Sequence, residues 1–358
     1  GNWSNTATWD GGTLPTSADD VYTNTFTVNC DVNFTVISLR NTAATLITAG
    51  GVFNFNTAGV IANVTNNIIM NVASGTYISV SATSGTVTIN VPNGIPTNVI
   101  TASSTMFSHN GNCNLTISCI RLQMQTTNSF NSACYLLNKT STGILTINGD
   151  LIGGATNATN SGIFFASNST NIINGNVTGG TNSGNGCAGV NVTAGDLTVT
   201  GSVSGGGSGT GGLGINWSSS GVLTITGTLT GGIQSAVSVS SGTANIIGSI
   251  TGGISNGVVG LAMNGGGSLN HIGTCQASAF AGAIRGDFPT TTTLTVTGPF
   301  LRNGNIVAFA AMTLRINAAY NPYFEFRTSA GVNVTYVDQA TSNFPAITNV
   351  RNGITYAS

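Results

Sequence analysis

One line, written seven times, limits what this chain can fold into. It reads LTINGDLIGG from Leu145, NIINGNVTGG from Asn171, LTVTGSVSGG from Leu197 and LTITGTLTGG from Leu223. Looser copies follow as ANIIGSITGG from Ala244, LNHIGTCQAS from Leu269 and LTVTGPFLRN from Leu294. The central glycines are Gly149, Gly175, Gly201, Gly227, Gly248, Gly273 and Gly298, separated by 26, 26, 26, 21, 25 and 25 residues. A period of this length, built from strand-forming residues and glycine turns, is the mark of a β-solenoid.

The columns of the repeat give the physical reason. Two residues before the central glycine stand Ile147, Ile173, Val199, Ile225, Ile246, His271 and Val296; two after it stand Leu151, Val177, Val203, Leu229, Ile250, Cys275 and Phe300. Thr, Ser and Asn fill most positions between them. Such period-2 alternation buries one face of a strand and wets the other. One coil cannot bury its apolar face alone, whereas stacked coils build a continuous apolar column. A third apolar stretch lies between successive copies, at 163–166, 190–192, 213–217, 236–239, 258–263 and Ile284. Three strands per unit predict a three-sided coil. The expected fold is therefore an all-β, single-stranded parallel β-helix, wound right-handed by the rule for parallel crossovers. At ~4.8 Å per strand, about twelve coils would make a rod some 55–60 Å long.

Three segments follow from this. Residues 1–44 hold Trp3, Trp9, Pro15 and the acidic residues Asp10, Asp19 and Asp20, and read as a capping module over the open end of the solenoid. A tryptophan-based sugar platform with Asp10 as polar partner is the other reading. Residues 45–311 are the β-helix, regular from residue 145 and degenerate before it, with short strands at 45–48, 52–55, 60–64, 68–72, 77–80, 86–91 and 115–120. Ile89, Ile117 and Ile147 are spaced like coil equivalents, and 123–132 reads as a loop out of a coil. Residues 312–358 are aromatic-rich and lack Gly-Gly corners, and predict a small C-terminal β-module leading to a further module.

Composition narrows function. Among 358 residues there are 8 Lys and Arg and 9 Asp and Glu, with a net charge of −1, too few cations to neutralise a phosphate backbone. No apolar run of ~18 residues is present, so no membrane-spanning helix is expected. The six cysteines show no metal-ligand spacing; Cys113, Cys119 and Cys134 are close enough in sequence for one disulfide, and the pairing is open. Asp150, Asp196 and Asp287 fall in three different columns of the array, which disfavours the paired carboxylates of a glycan-cleaving site. For a nucleophilic triad, His109 has no acidic residue within 35 positions, and His271 falls in an inward column of the repeat and reads as a core residue. The match to GxGxxG at 209–214 has no helix after it and is not a nucleotide loop. No catalytic residue, metal site or cofactor is assigned. Outward Thr-x-Thr pairs occur in three of the seven copies, at Thr198/Thr200, Thr224/Thr226 and Thr295/Thr297, a broken ladder that weakens an ice-binding reading.

The opening WDGGTLPTSADDV resembles the W-x-G-G-x-x-P-x-x-x-D-x-V opening module of phage-fibre and bacterial-surface β-solenoids. The TVTGSVSGG-type lines are similar to repeats in tail fibres of tailed phages, and PAITNVRNGITYA resembles a linker of such structural proteins. The resemblance implies a non-enzymatic structural or adhesive virion appendage on the virion surface or in another extracellular setting, a segment of a tail fibre presenting host-binding parts. It implies association with copies of itself, as a homotrimer, or with other fibre proteins and host cell-surface glycans. A secreted bacterial surface adhesin is the alternative; a polysaccharide depolymerase and an ice-binding protein stand behind both. Were glycans bound, Trp217, Tyr320 and Tyr323 are the aromatic contacts to test.

Overall fold

In the computed structural model the chain is an all-β parallel solenoid. The structure describes residues 1–40, 51–70, 75–92, 97–100, 104–126, 135–153, 163–180, 188–206, 212–253, 260–263, 267–276, 284–286, 292–297, 305–307, 312–316 and 325–327. Among them the single helical element is a 3-10 turn at Thr6–Thr8.

Each coil of the array lays strands on three faces. A broad face carries Leu145–Ile152, Thr170–Asn174, Asp196–Thr200, Val222–Thr226, Thr243–Ile247, Ser268–Ile272 and Thr292–Thr297. Past the central glycine, the pairs Val177–Thr178, Val203–Ser204, Leu229–Thr230, Ile250–Thr251 and Cys275–Gln276 form a short face. The third face is one sheet of eleven parallel strands running from Thr27–Asn29 to Ile284–Gly286.

The register follows the sequence columns residue for residue. Ile147 pairs with Ile173, Ile173 with Val199, Ile225 with Ile246 and Ile246 with His271. Beyond the glycine, Leu151, Val177, Val203, Leu229, Ile250 and Cys275 stack in the same way. Upstream, Ile117 pairs with Ile89 on one side and Ile147 on the other, so the degenerate coils belong to the same stack. Each Ile, Val or Leu so buried contributes about 1.5–3 kcal/mol over its exposed state. The glycine column is steric in origin. A Cβ on Gly175, Gly201 or Gly227 would overlap the carbonyl oxygen of Gly149, Gly175 or Gly201 in the preceding coil.

Two expectations change. The strand Asn114–Thr126 runs through Gln123–Thr126, which pair with Thr97–Ile100, so this part of 123–132 is not a loop. Leu122, Gln123, Met124 and Gln125 alternate apolar and polar, a period-2 pattern that carries the strand on past Leu122. The stretches expected at 60–64 and 68–72 merge into one strand, Ile61–Met70. The strand expected at 45–48 lies outside the described residues.

At the N-terminal end Asp20–Tyr22 pairs in parallel with Ser38–Arg40, and Phe34–Arg40 pairs in turn with Ala62–Ile69. Trp3, 1% exposed, stacks on Phe34 at 3.7 Å between ring centroids and covers the end of the core. Trp9 meets Trp3 edge-on at 4.9 Å, and its Nε1 donates to Trp3 O. At the other end Met312–Ile316 pairs with Thr292–Val296, and Glu325–Arg327 with Asn305–Val307.

Candidate functional site

Trp217 is fully buried, in register between Val192 and Val239 on the third face. It cannot present its ring to a glycan, which corrects the expectation for this residue. In Ile215–Trp217 the inward positions are Ile215 and Trp217, leaving Asn216 half-buried and outward. Tyr320 and Tyr323 lie outside the described residues.

The carboxylates of the array are spent on the fold. Asp150 Oδ1 accepts from the backbone N–H of Asn176 at 2.8 Å and from its Nδ2 at 3.1 Å; Asp196 Oδ1 accepts from Val222 N–H at 2.8 Å. Each clips one coil to the next. At the N-terminal end Asp19 caps Thr16, whose N–H and hydroxyl hold the carboxyl below its ordinary range, and Asp31 accepts from Ser4. Asp287 lies outside the described residues. No group of three His, Cys, Asp or Glu placed to hold a metal ion occurs among the described residues, and no described helix is long and apolar enough to cross a membrane.

The most unusual chemistry is inside. Lys139 occupies an inward position in register between His109 and Phe165 and is 0% exposed. Its Nζ donates to Ser141 O at 2.6 Å, to Ser167 Oγ at 3.3 Å and to Ser169 Oγ, so each ammonium proton has an acceptor. None of these is anionic, and burial pushes the amine down to about 8. His109, also 0% exposed, sets Nε2 at 2.8 Å from Cys113 O, which fixes the Nε2–H tautomer. Burial, with Lys139 as a further cause, pushes its imidazole down to about 4. Cys113 Sγ lies 4.0 Å from the same nitrogen; Cys30, Cys113 and Cys119 are all free thiols, and burial raises each of them, Cys119 to about 12. A depressed lysine beside serine hydroxyls has the parts of a Ser–Lys nucleophile. With Lys139 sealed and Ser167 9% exposed, no substrate reaches it, and the cluster serves the fold. Position parity could have revealed it, because Lys139 stands two residues after the inward Leu137.

Two surfaces stay open to partners. The first is a cleft of about 790 Å³ at the N-terminal end, lined among others by Trp9, Asp10, Tyr22 and the 71% exposed Phe26. The second is the outer side of the broad face. Its side chains are ordered by a ladder of lateral hydrogen bonds, Asn90 Nδ2 to Asn63 Oδ1, Asn148 Nδ2 to Ser118 Oγ, Asn174 Nδ2 to Asn148 Oδ1 and Asn270 Nδ2 to Asn245 Oδ1, at 2.8–3.2 Å. Sequence reading missed this ladder, although Asn recurs immediately before the central glycine in Asn148 and Asn174. No known protein family, curated protein or solved structure matches the chain.

Proposed function

We propose that the chain is a non-enzymatic structural and adhesive segment of an extended extracellular appendage of the tail-fibre type, holding host-binding parts away from a virion surface. The observation that carries this reading is the third face, eleven parallel strands stacked without a break. Such a stack is stiff along its axis, since every coil bonds its neighbours through backbone and side chains alike. The carboxylates of the array clip coils together, and the buried lysine and histidine are sealed, which supports a shaft rather than a catalyst. Its weakly charged sides suit lateral association with copies of itself, including a homotrimer, and its ends suit other fibre proteins or host glycans.

Negative-stain images combined with light-scattering mass test the reading. Rods at least ~48 Å long, the length of eleven stacked strands, are expected, with a mass that is a multiple of 35.9 kDa. Compact isotropic particles would overturn it. Incubation with bacterial capsule or lipopolysaccharide should release no new reducing ends; their appearance would overturn the non-enzymatic assignment.

A further inference from the structure

The outer side of the broad face is a two-dimensional grid. Its central column runs Thr88, Thr116, Thr146, Ile172, Thr198 and Thr224, each in register with the next. Beside it runs the column Asn90, Ser118, Asn148, Asn174, followed by Thr200 and Thr226 in the same position before the glycine. The hydroxyl column is therefore longer than the seven copies alone suggest, because Thr88 and Thr116 of the degenerate coils extend it. Rows repeat every ~4.8 Å along the stack, and outward residues within a strand repeat every ~6.7 Å. Register shifts in the neighbouring strands fall past these columns, at Ser118/Arg121 and Val36/Ser38.

Three properties say what such a grid can hold. It is rigid: the Asn amides are tied laterally, and β-branched Thr and Ile have stiff χ1 angles. Its two columns are uncharged: in the rows from Thr86–Val91 to Ser268–Ile272 the outward carboxylates are Asp196, bonded to Val222 N–H, and Asp150, bonded to Asn176 and in register with Arg121, and all three charged residues stand outside the columns. It carries no aromatic ring in either column, so it offers neither the stacking platform that sugars use nor the large anchors of a protein interface. Charged polymers find no counter-charge in these columns. A partner that matches it is a neutral lattice with regular donors and acceptors at spacings of several ångströms, into which methyl groups also fit.

We propose that this face binds the surface of crystalline water. Threonine hydroxyls and the free valences of the Asn ladder take lattice positions, while Thr methyls and Ile172 fill the hollows between them. Downstream the central column continues through Asn245 and Asn270, and the exposed Ile247 and Ile272 extend the column beside it as an apolar margin. This function is separate from the shaft role, since rod shape does not depend on it, and it requires that any lateral association use another face.

The test is partition of the purified full chain into slowly grown ice, together with recrystallisation of ice in its presence. The wild-type chain is expected to enrich in the ice fraction and to arrest grain growth. Thr146→Lys and Thr198→Lys should each lower enrichment at least about tenfold, equivalent to 1.4 kcal/mol; Thr230→Lys, on the short face, should leave it unchanged. Thr198→Val, which keeps the shape and removes the hydroxyl, gives a graded loss and guards against misfolding of the lysine variants. Exclusion of the wild-type chain from ice to the level of an unrelated soluble protein overturns the proposal. So does equal enrichment of folded Thr146→Lys, and so does self-association that hides this face in solution.

Discussion

Replacing Lys139 by methionine is the sharpest probe of the interior. The side chain is fully buried, has no anionic partner among its contacts, and its amine falls from 10.5 to about 8 through loss of water. A depression of that size corresponds to about 3 kcal/mol of unfavourable charge burial at neutral pH. Methionine has a similar length and no charge, so Lys139→Met removes this cost. It also strips a donor from three oxygens, but Ser167 Oγ still donates to Ser141 O and stays within 3.5 Å of Ser169 Oγ, which limits the loss to about 1 kcal/mol. The variant should therefore be more stable than wild type by about 1–2 kcal/mol at pH 7, in line with other buried charges replaced by apolar side chains. The pH dependence follows from the direction of the shift. Because the folded amine is the weaker base, the unfolded chain binds more protons between pH 8 and 10.5, and wild-type stability rises across that window. Lys139→Met lacks this rise, so its advantage shrinks as pH increases. Urea unfolding followed by circular dichroism at pH 7, 8, 9 and 10 measures both quantities, and subtracting the two chains cancels every other titration. Parallel pH profiles, or a Met variant weaker than wild type by more than about 3 kcal/mol at pH 7, would refute the reasoning.

Four further outcomes are expected. Gly227→Ala drives a methyl into Gly201 O and should destabilise by about 1–3 kcal/mol in the same unfolding assay. His109, pushed down to about 4, is protonated more readily in the unfolded chain, so stability should fall as pH drops from 6.5 to 4; His109→Leu should flatten part of that slope in thermal melts, with His271, shifted in the same direction, keeping the rest. Trp3→Ala uncovers the end of the core, should cost about 3 kcal/mol, and should make light scattering rise with concentration as bare strand edges meet. Ser219→Ala, which leaves Gly195 O and Gly221 N–H without their 2.7 and 3.0 Å partner, should cost about 1–3 kcal/mol by denaturant unfolding.

Legibility divided along physical lines. The repeat exposed its inward columns because burial rewards Ile, Val and Leu at fixed positions, and parallel stacking makes every coil repeat the choice. Ile89 and Ile117 could be placed for the same reason despite weak repeats around them. Composition was a poorer guide to side-chain direction. Trp217 read as an exposed aromatic, while its parity with Ile215 turns it inward. Gln123–Thr126 read as a loop because two glutamines and a threonine outweighed Met124, although Leu122, Gln123, Met124 and Gln125 continue a period-2 pattern into the strand. The central hydroxyl column was broken when only the regular copies were compared; it lengthens once Thr88 and Thr116 are brought into register across coils of unequal length.

Six polar side chains, five of them buried, share one stretch of the coil, and that position explains them. His109, Lys139, Ser167, Asn171, Ser219 and Ser241 all stand where the third face turns into the broad face. At such a corner regular parallel pairing lapses and backbone carbonyls are left needing donors. His109 serves Cys113 O, Lys139 and Ser167 serve Ser141 O, Asn171 serves Ser169 O and Asp196 O, Ser219 serves Gly195 O, and Ser241 serves Ser218 O and Ser219 O. A lysine here performs the same task as a serine, from further away and at the cost of a buried charge. The corner therefore selects for a donor rather than for a particular side chain, which is why lysine, histidine and asparagine stand beside the recurring serines along it. Chemistry-bearing residues at this corner answer to the backbone, and recognition belongs to the outward columns and the ends.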